Sequence, residues 1–132
     1  MADITKNWAA SAQCRTSQIL NGDTEVFSDN IDLETGGYEG ALVQVQASFP
    51  ASADENVIVS VYPNLTGDAA YDGQEVAIWS AEIALLDTDI VFYSFVIKDV
   101  NHFRLGFKHS AETDHDATIT SADHQRWAWE SV

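Results

Sequence analysis

Hydrophobic and polar residues alternate along much of the chain with a period of two, which places successive side chains on opposite faces of a β-strand. Two such stretches, 41–48 and 56–62, lie on either side of a polar segment. In the first, the odd-numbered residues are Ala or Val and most even-numbered ones are polar; in the second, the odd-numbered residues are all Val. Pro50 opens the turn-like segment between them and donates no backbone hydrogen bond, so we predict that the two strands form a β-hairpin.

Alternation, a run that is apolar on both faces (90–97) and a run rich in β-branched residues (117–121) predict the other strands, which are residues 24–28, 75–83, 90–97, 102–109, 117–121 and 125–130. Turn signals such as Asn21-Gly22-Asp23 and Thr35-Gly36-Gly37 separate them, and no stretch has a helical period. Regular spacing of short strands predicts an all-β fold, an antiparallel β-sandwich of about eight strands that is either jelly-roll-like or immunoglobulin-like.

The first 20 residues differ from the rest of the chain in their weak hydrophobic pattern. Residues 1–20 are predicted to form an extended N-terminal arm, and residues 21–132 a single β-sandwich domain. Trp8 is the one large residue near the start, and we expect it to anchor the arm, either on its own sheet, which we favour, or on a neighbouring subunit.

The most hydrophobic run, Ile90–Ile97, is apolar on both of its faces. A strand of this kind in an antiparallel protein is either central in its sheet or has its outer face covered by another subunit. Large aromatic side chains tend to dominate the energy of such interfaces. We therefore predict that partner contacts involve Trp8, Tyr93, Phe95, Trp127 and Trp129.

Charge narrows the range of partners. The chain has 6 Lys and Arg against 21 Asp and Glu, a net charge of −15. Because such a chain repels phosphate, we expect it to bind neither nucleic acid nor an anionic membrane surface. Two explanations of the acidity stay open: either solubility in a salty environment or avoidance of self-association, or else a face matched to a basic partner.

The sequence offers no catalytic signature. One cysteine, Cys14, permits neither an intrachain disulfide nor a cysteine-based zinc site. There is no P-loop, no dinucleotide fingerprint and no glycine-flanked serine of the nucleophile-elbow type. Residues 1–13 lack the apolar core of a signal peptide, and no segment is long enough to span a bilayer. We predict a non-enzyme without a cofactor, made and used without export.

Two acidic loops and a set of aromatic residues are candidates for ligand binding. The segment 114–116 (Asp-His-Asp) and the carboxylates around Gly67 and Gly73 lack the ligand spacing of a known metal site, so both are interpreted as solvated loops and no metal is predicted. The aromatic residues either form a sugar-stacking platform or fill the space between two sheets, which we favour; they are Trp79, Trp127, Trp129, Tyr62 and Tyr71.

Several short motifs follow one another along the chain. They are Asp3-Ile4-Thr5-Lys6-Asn7-Trp8, Tyr38 followed by Ala41-Leu42-Val43-Gln44-Val45, Val57–Tyr62 before a Gly-Asp loop, Phe95-Val96-Ile97-Lys98-Asp99-Val100, His102-Phe103-Arg104-Leu105-Gly106 and a closing strand with Thr and Trp. In this order they resemble the motifs of small virion structural proteins of tailed bacteriophages. The resemblance covers most of the chain and includes no active site.

This resemblance implies a capsid decoration or cement protein, a class that is commonly trimeric. It would bind the major capsid protein or another virion protein on the outer surface of the capsid, after synthesis in the host cytoplasm. A tail, neck or baseplate component is a second implication. A carbohydrate-binding module, suggested by the tryptophans rather than by the resemblance, is a third hypothesis.

Overall fold

The computed structural model describes residues 4–20, 24–49, 56–64, 77–83, 90–109 and 117–131. These residues form strands and connecting turns, without a helix. The strands are β1 (Ile4–Trp8), β2 (Ala12–Arg15), β3 (Gln18–Leu20), β4 (Val26–Phe27), β5 (Ile31–Asp32), β6 (Gly40–Ser48), β7 (Val57–Asn64), β8 (Trp79–Ile83), β9 (Ile90–Lys98), β10 (His102–His109) and β11 (Ala117–Ser131). Since no described segment is helical, no described helix could cross a membrane.

The strands form two antiparallel sheets, so the predicted all-β sandwich is confirmed. Sheet A has the order β1-β11-β6-β9, and β2 and β3 also pair with β11. Sheet B has the order β4-β10-β7-β8, and β5 also pairs with β10. Neighbours within each sheet are mostly distant in sequence, so the chain repeatedly crosses between the sheets.

The core lies between the facing sides of the two sheets and follows the predicted alternation. Val43 and Val45 of sheet A are fully buried, as are the three valines of β7 at 57, 59 and 61. In β10 the alternate apolar residues Phe103, Leu105 and Phe107 are also fully buried. Burial of each such side chain contributes about 1.5–3 kcal/mol, which makes this apolar layer the main source of stability.

The predicted hairpin between residues 41–48 and 56–62 is wrong. β6 pairs with β11 and β9 in sheet A, whereas β7 pairs with β10 and β8 in sheet B. Alternation shows that each strand has one buried face, but it does not say which strand lies beside it. Two strands with buried valines can lie side by side in one sheet. They can also face each other from two sheets about 10 Å apart, and both arrangements bury the valines in the same core.

The end of the chain is one strand rather than the two predicted. β11 runs from Ala117 to Ser131, and a register shift between Ile119 and Ser121 marks an irregularity of the β-bulge type. Half-buried polar residues follow the shift, and their polarity led to the prediction that one strand ends and another begins there. The pairing with β6 nevertheless continues through them. Bulges of this kind bend a strand without ending it.

The N-terminal segment is extended, as expected, and lies along β11 of its own chain. β1, β2 and β3 each pair antiparallel with a different part of β11. Trp8 pairs directly with Trp127, so the favoured placement of Trp8 on its own sheet is confirmed. The division into an arm of residues 1–20 and a sandwich of residues 21–132 stays a prediction.

β9 is at the end of the strand order in sheet A, so it is not central among the described strands. Its burial alternates as the two apolar faces predicted. Val91, Tyr93, Phe95 and Ile97 are half-buried or buried on the core side, whereas Ile90, Phe92 and Val96 are exposed on the other. The strand therefore presents an apolar surface to solvent.

Candidate functional site

The side of sheet A that faces away from the core is the most distinctive surface of the protein. Residues paired across neighbouring antiparallel strands project from the same side of a sheet. By this rule the strand register defines the outer face. It comprises Leu42, Gln44, Gln46 and Ser48 of β6, Ile90, Phe92, Ser94, Val96 and Lys98 of β9, Asp123, Gln125, Trp127 and Trp129 of β11, and Lys6 and Trp8 of β1.

This outer face carries little of the protein's negative charge. Among the strand positions that form it, Asp123 is the only carboxylate, although the chain has 21 acidic residues. Lys6 and Lys98 lie at one end, and the centre is made of glutamine and serine side chains. Depletion of charge with retention of neutral polar and aromatic groups is typical of protein interfaces.

An apolar strip runs along the edge of this face. We define the apolar strip as Leu42, Ile90, Phe92 and Val96. Phe92 is 60% exposed, and Ile90 and Val96 are about half exposed. Single exposed apolar residues are ordinary, but several side by side on one sheet indicate a surface that is covered in function.

Three tryptophans lie together at the end of the outer face where β1 meets β11. The ring centroids of Trp8 and Trp127 are 5.5 Å apart. The ammonium of Lys6 lies over the rings, with centroid distances of 4.5 Å to Trp127, 5.4 Å to Trp8 and 5.7 Å to Trp129. Attraction between the ammonium and the negative ring faces stabilises this arrangement.

Gly40 makes the position of Trp127 possible. A Cβ atom at Gly40 would lie 2.3 Å from Cη2 of Trp127 and 2.8 Å from the carbonyl oxygen of Ile97. Because Gly40 has no side chain, the indole lies across β6 and is 97% buried, with only 3% of its surface exposed. Trp8 and Trp129, at 41% and 53%, stay accessible beside it.

A groove of about 500 Å³ opens beside these rings. We define the tryptophan groove by its lining residues together with the adjacent Trp8; the lining consists of Lys6, Glu39, Val96, Lys98, Asp99, Trp127 and Trp129. Asp99 has a positive φ of 65°, and it turns the chain sharply after β9. Among the described residues, Lys98 makes no ion pair within 4.0 Å. The groove therefore combines aromatic walls with accessible charges of both signs.

The structure brings together three of the five residues predicted for partner contacts. Trp8, Trp127 and Trp129 share the outer face. Tyr93 and Phe95 point to the core side, where the ring of Trp79 packs 4.5 Å from Phe95 and 6.3 Å from Tyr93 between centroids. The exposed residues of the apolar strip and Lys6 were missed as site residues, although the two-sided apolar pattern of β9 was their signal.

The five aromatic residues considered for a sugar platform do not form one surface. Trp79 fills the space between the sheets, as favoured. Tyr62 lies on sheet B, where its hydroxyl donates to the Glu25 carboxylate and its ring packs against Phe27. Tyr71 lies outside the described residues. Of the four members that the structure describes, Trp127 and Trp129 come together on the outer face of sheet A, so the favoured placement between the sheets is wrong for these two.

Ionisable groups elsewhere form structural contacts. Burial raises the pKa of the Cys14 thiol to about 12, and the thiol donates to the carbonyl of Ala122 at 3.3 Å, so it stays protonated at neutral pH. His102 lies 3.1 Å from a carboxylate oxygen of Glu34 and 3.6 Å from one of Asp32. Within the described ranges no group of three His, Cys, Asp or Glu could hold a metal ion. Segment 114–116 and the loop around Gly67 and Gly73 lie outside those ranges.

No family model matches the chain, and no curated protein matches it. Its fold is similar to part of latent PorU from Porphyromonas gingivalis, with a TM-score of 0.54 and 9% identity over 95% of this chain and 13% of that one. A chain of the infectious bursal disease virus T13 particle is similar at a TM-score of 0.49, with 13% identity over 95% and 31% of the two chains. The C-terminal CBM6 of LamC from Zobellia galactanivorans is similar at 0.49, with 8% identity over 92% and 98%. At such identities the likeness concerns the fold alone.

Proposed function

We propose that the protein is a non-enzymatic virion structural protein of a tailed bacteriophage. In this role it is a capsid decoration or cement protein that binds the outside of the head lattice and stabilises it. The partner is the major capsid protein or another virion protein, and the docking surface is the outer face of sheet A. A homotrimer on the capsid surface is the assembly that the resemblance to decoration proteins implies.

One observation carries the proposal: in a chain of net charge −15, the strand positions that form the outer face of sheet A include one carboxylate, Asp123, and the face has an exposed apolar strip. Covering Phe92 and its neighbours removes apolar surface from water, which contributes roughly 25 cal/mol for each Å² buried. Because few charges on this face must be desolvated, little of that gain is lost. The acidic remainder of the chain suits a surface that faces solvent.

A tail, neck or baseplate component is the alternative within the same class. Such a protein would use the same face for docking, so its location on the particle distinguishes the two roles. Immunogold electron microscopy of purified phage particles, with an antibody against this chain, makes that distinction. Labelling of the head supports decoration, labelling of the tail supports the alternative, and particles without label contradict both.

Docking through the apolar strip is tested with particles that lack the protein and are then supplied with purified variants. We expect Ile90→Ser and Phe92→Ser to weaken binding to the particles at least tenfold, which corresponds to about 1.4 kcal/mol of lost binding free energy. Both side chains are at least half exposed, so the melting temperature of the free protein should change little. The measurement is the amount of protein that sediments with the particles.

Ile78→Ser is the matched control, because Ile78 is 55% exposed and Ile90 is 50% exposed, but Ile78 lies next to β8 of sheet B. The control should bind as the parent does. Equal occupancy for all variants, or an equal loss with Ile78→Ser, would contradict docking through the outer face of sheet A.

A further inference from the structure

The tryptophan groove lies at one end of the outer face and shares Val96 with the apolar strip, but its chemistry is not that of a simple apolar contact. Its rim has two accessible indole rings, Trp8 and Trp129, and its lining has ammonium groups from Lys6 and Lys98 and carboxylates from Glu39 and Asp99. We propose that the tryptophan groove is a binding site for an uncharged carbohydrate. This goes beyond docking on a virion, because it assigns a small-molecule ligand to part of the face.

The aromatic rim supplies a surface on which a sugar ring stacks. The face of an indole is electronegative and its edge electropositive. One side of a pyranose presents polarised C–H groups, which pack against such a face while the ring hydroxyls point outward. Trp129, at 53% exposed, is the main stacking residue, and Trp8 lies on the neighbouring strand.

Polar groups around the rim match the hydroxyls of a sugar. Each hydroxyl both donates and accepts a hydrogen bond. The ammonium of Lys98 is a donor without an ion-pair partner among the described residues, and the carboxylates of Glu39 and Asp99 are acceptors. The volume of about 500 Å³ lies within the range of small-molecule sites, about 300–1,000 Å³.

The same groups disfavour charged ligands. A cation would meet the ammonium of Lys6, which already lies over all three rings, and that of Lys98. An anion would meet Glu39 and Asp99 and the field of a chain with a net charge of −15. An uncharged ligand with many hydroxyls avoids both conflicts.

Trp127 also has a hydrogen-bond donor without an acceptor. The indole N–H of Trp127 is buried without a partner in the part of the chain that the structure describes. An unpaired buried donor destabilises the fold, so each such group calls for an explanation. A sugar oxygen that reached this N–H group would supply the missing acceptor.

The test is a titration of the full chain with uncharged hexasaccharides, namely cellohexaose, laminarihexaose, maltohexaose, mannohexaose and chitohexaose. Binding is followed through the indole N–H signals of the four tryptophans in two-dimensional NMR spectra. We expect at least one sugar to shift the signals of Trp8, Trp127 and Trp129 in a saturable way. Trp79 packs inside the sandwich against Phe95, so its signal should stay unchanged.

Two variants separate this site from the docking surface. Trp129→Ala should weaken sugar binding at least tenfold, whereas Phe92→Ala, an exposed aromatic residue on the same face but outside the groove, should leave it unchanged. The sugar proposal is overturned if no hexasaccharide shifts a groove indole up to about 10 mM, a concentration that detects even millimolar binding. Equal weakening by Phe92→Ala also overturns it. Both outcomes concern sugar binding alone. The proposed docking is tested separately, by the amount of protein that sediments with the particles.

Discussion

At the scale of single residues, Asp32 organises the turn that leads from β5 into the site-bearing strand β6. One carboxylate oxygen accepts hydrogen bonds from the backbone N–H groups of Glu34 and Thr35, both at 2.9 Å. Burial raises the pKa of Asp32, but the hydrogen bonds from Thr35 and the nearby His102 together outweigh it, so the pKa lies below its ordinary value of 3.8. The turn at Gly36 and Gly37, both with positive φ, was predicted from the sequence.

Replacing Asp32 should therefore destabilise the protein in a pH-dependent way. At neutral pH we expect Asp32→Ala to lower the free energy of unfolding by about 1 kcal/mol, because two backbone donors lose their acceptor. Asp32→Asn, which retains an acceptor oxygen, should cost less. Since the folded pKa is lowered, the stabilisation is present above 3.8 and is lost as the pH falls through the folded value. Urea unfolding of parent and variants across this range measures it, and a pH-independent difference would contradict the assignment.

At the scale of elements, the close approach of β6, β9 and β11 at Gly40 fixes the floor of the tryptophan groove. The carbonyl of Ile97 belongs to the backbone of β9 and cannot rotate away from an added methyl group, and Trp127 is held by its neighbours Trp8 and Lys6. We expect Gly40→Ala to cost about 1–3 kcal/mol of stability. It should also change the near-ultraviolet circular dichroism, because the Trp127 ring must move.

Gly37→Ala is the control for that prediction. Nothing lies within 4 Å of the Cβ that it would add, so its cost comes from the positive φ of 67° alone. It should lower stability while leaving the aromatic circular dichroism as in the parent. If both variants alter the aromatic spectrum equally, Gly40 does not hold Trp127 in the way we describe.

The same elements show what the sequence can and cannot predict. Alternation in β6 and β7 correctly identified their buried faces, since local spacing determines which side chains share a side. It did not predict that the two strands lie in different sheets, because their partners β11 and β10 come from later in the chain. The tryptophan groove depends on the pairing of Trp8 with Trp127, residues from opposite ends of the chain. Each tryptophan is visible in the sequence, but the sequence did not predict that the three side chains lie together in the fold.

At the scale of the whole molecule, composition predicted the acidity but not its distribution. The outer face of sheet A contains one carboxylate position, Asp123, so the repulsion of a chain with a net charge of −15 arises mostly elsewhere. Mutual repulsion of this size opposes the compact state, and salt reduces it. We expect the melting temperature to rise as sodium chloride increases from about 10 mM to about 150 mM, where the Debye length falls from about 30 Å to about 8 Å. Under the proposed docking role, a face with few carboxylates would meet a neutral surface while the acidic sides keep free copies apart.

Lys98→Glu tests the origin of this salt dependence. Loss of one positive charge and gain of one negative charge gives −15 − 2 = −17. Lys98 is exposed and makes no ion pair with another described residue, so the variant changes the charge without removing a buried contact. We expect a lower melting temperature than the parent at low salt, a steeper rise with salt, and convergence of the two curves at about 1 M, where the Debye length is about 3 Å. Parallel curves, or a parent melting temperature that does not depend on salt, would show that the acidity does not oppose folding.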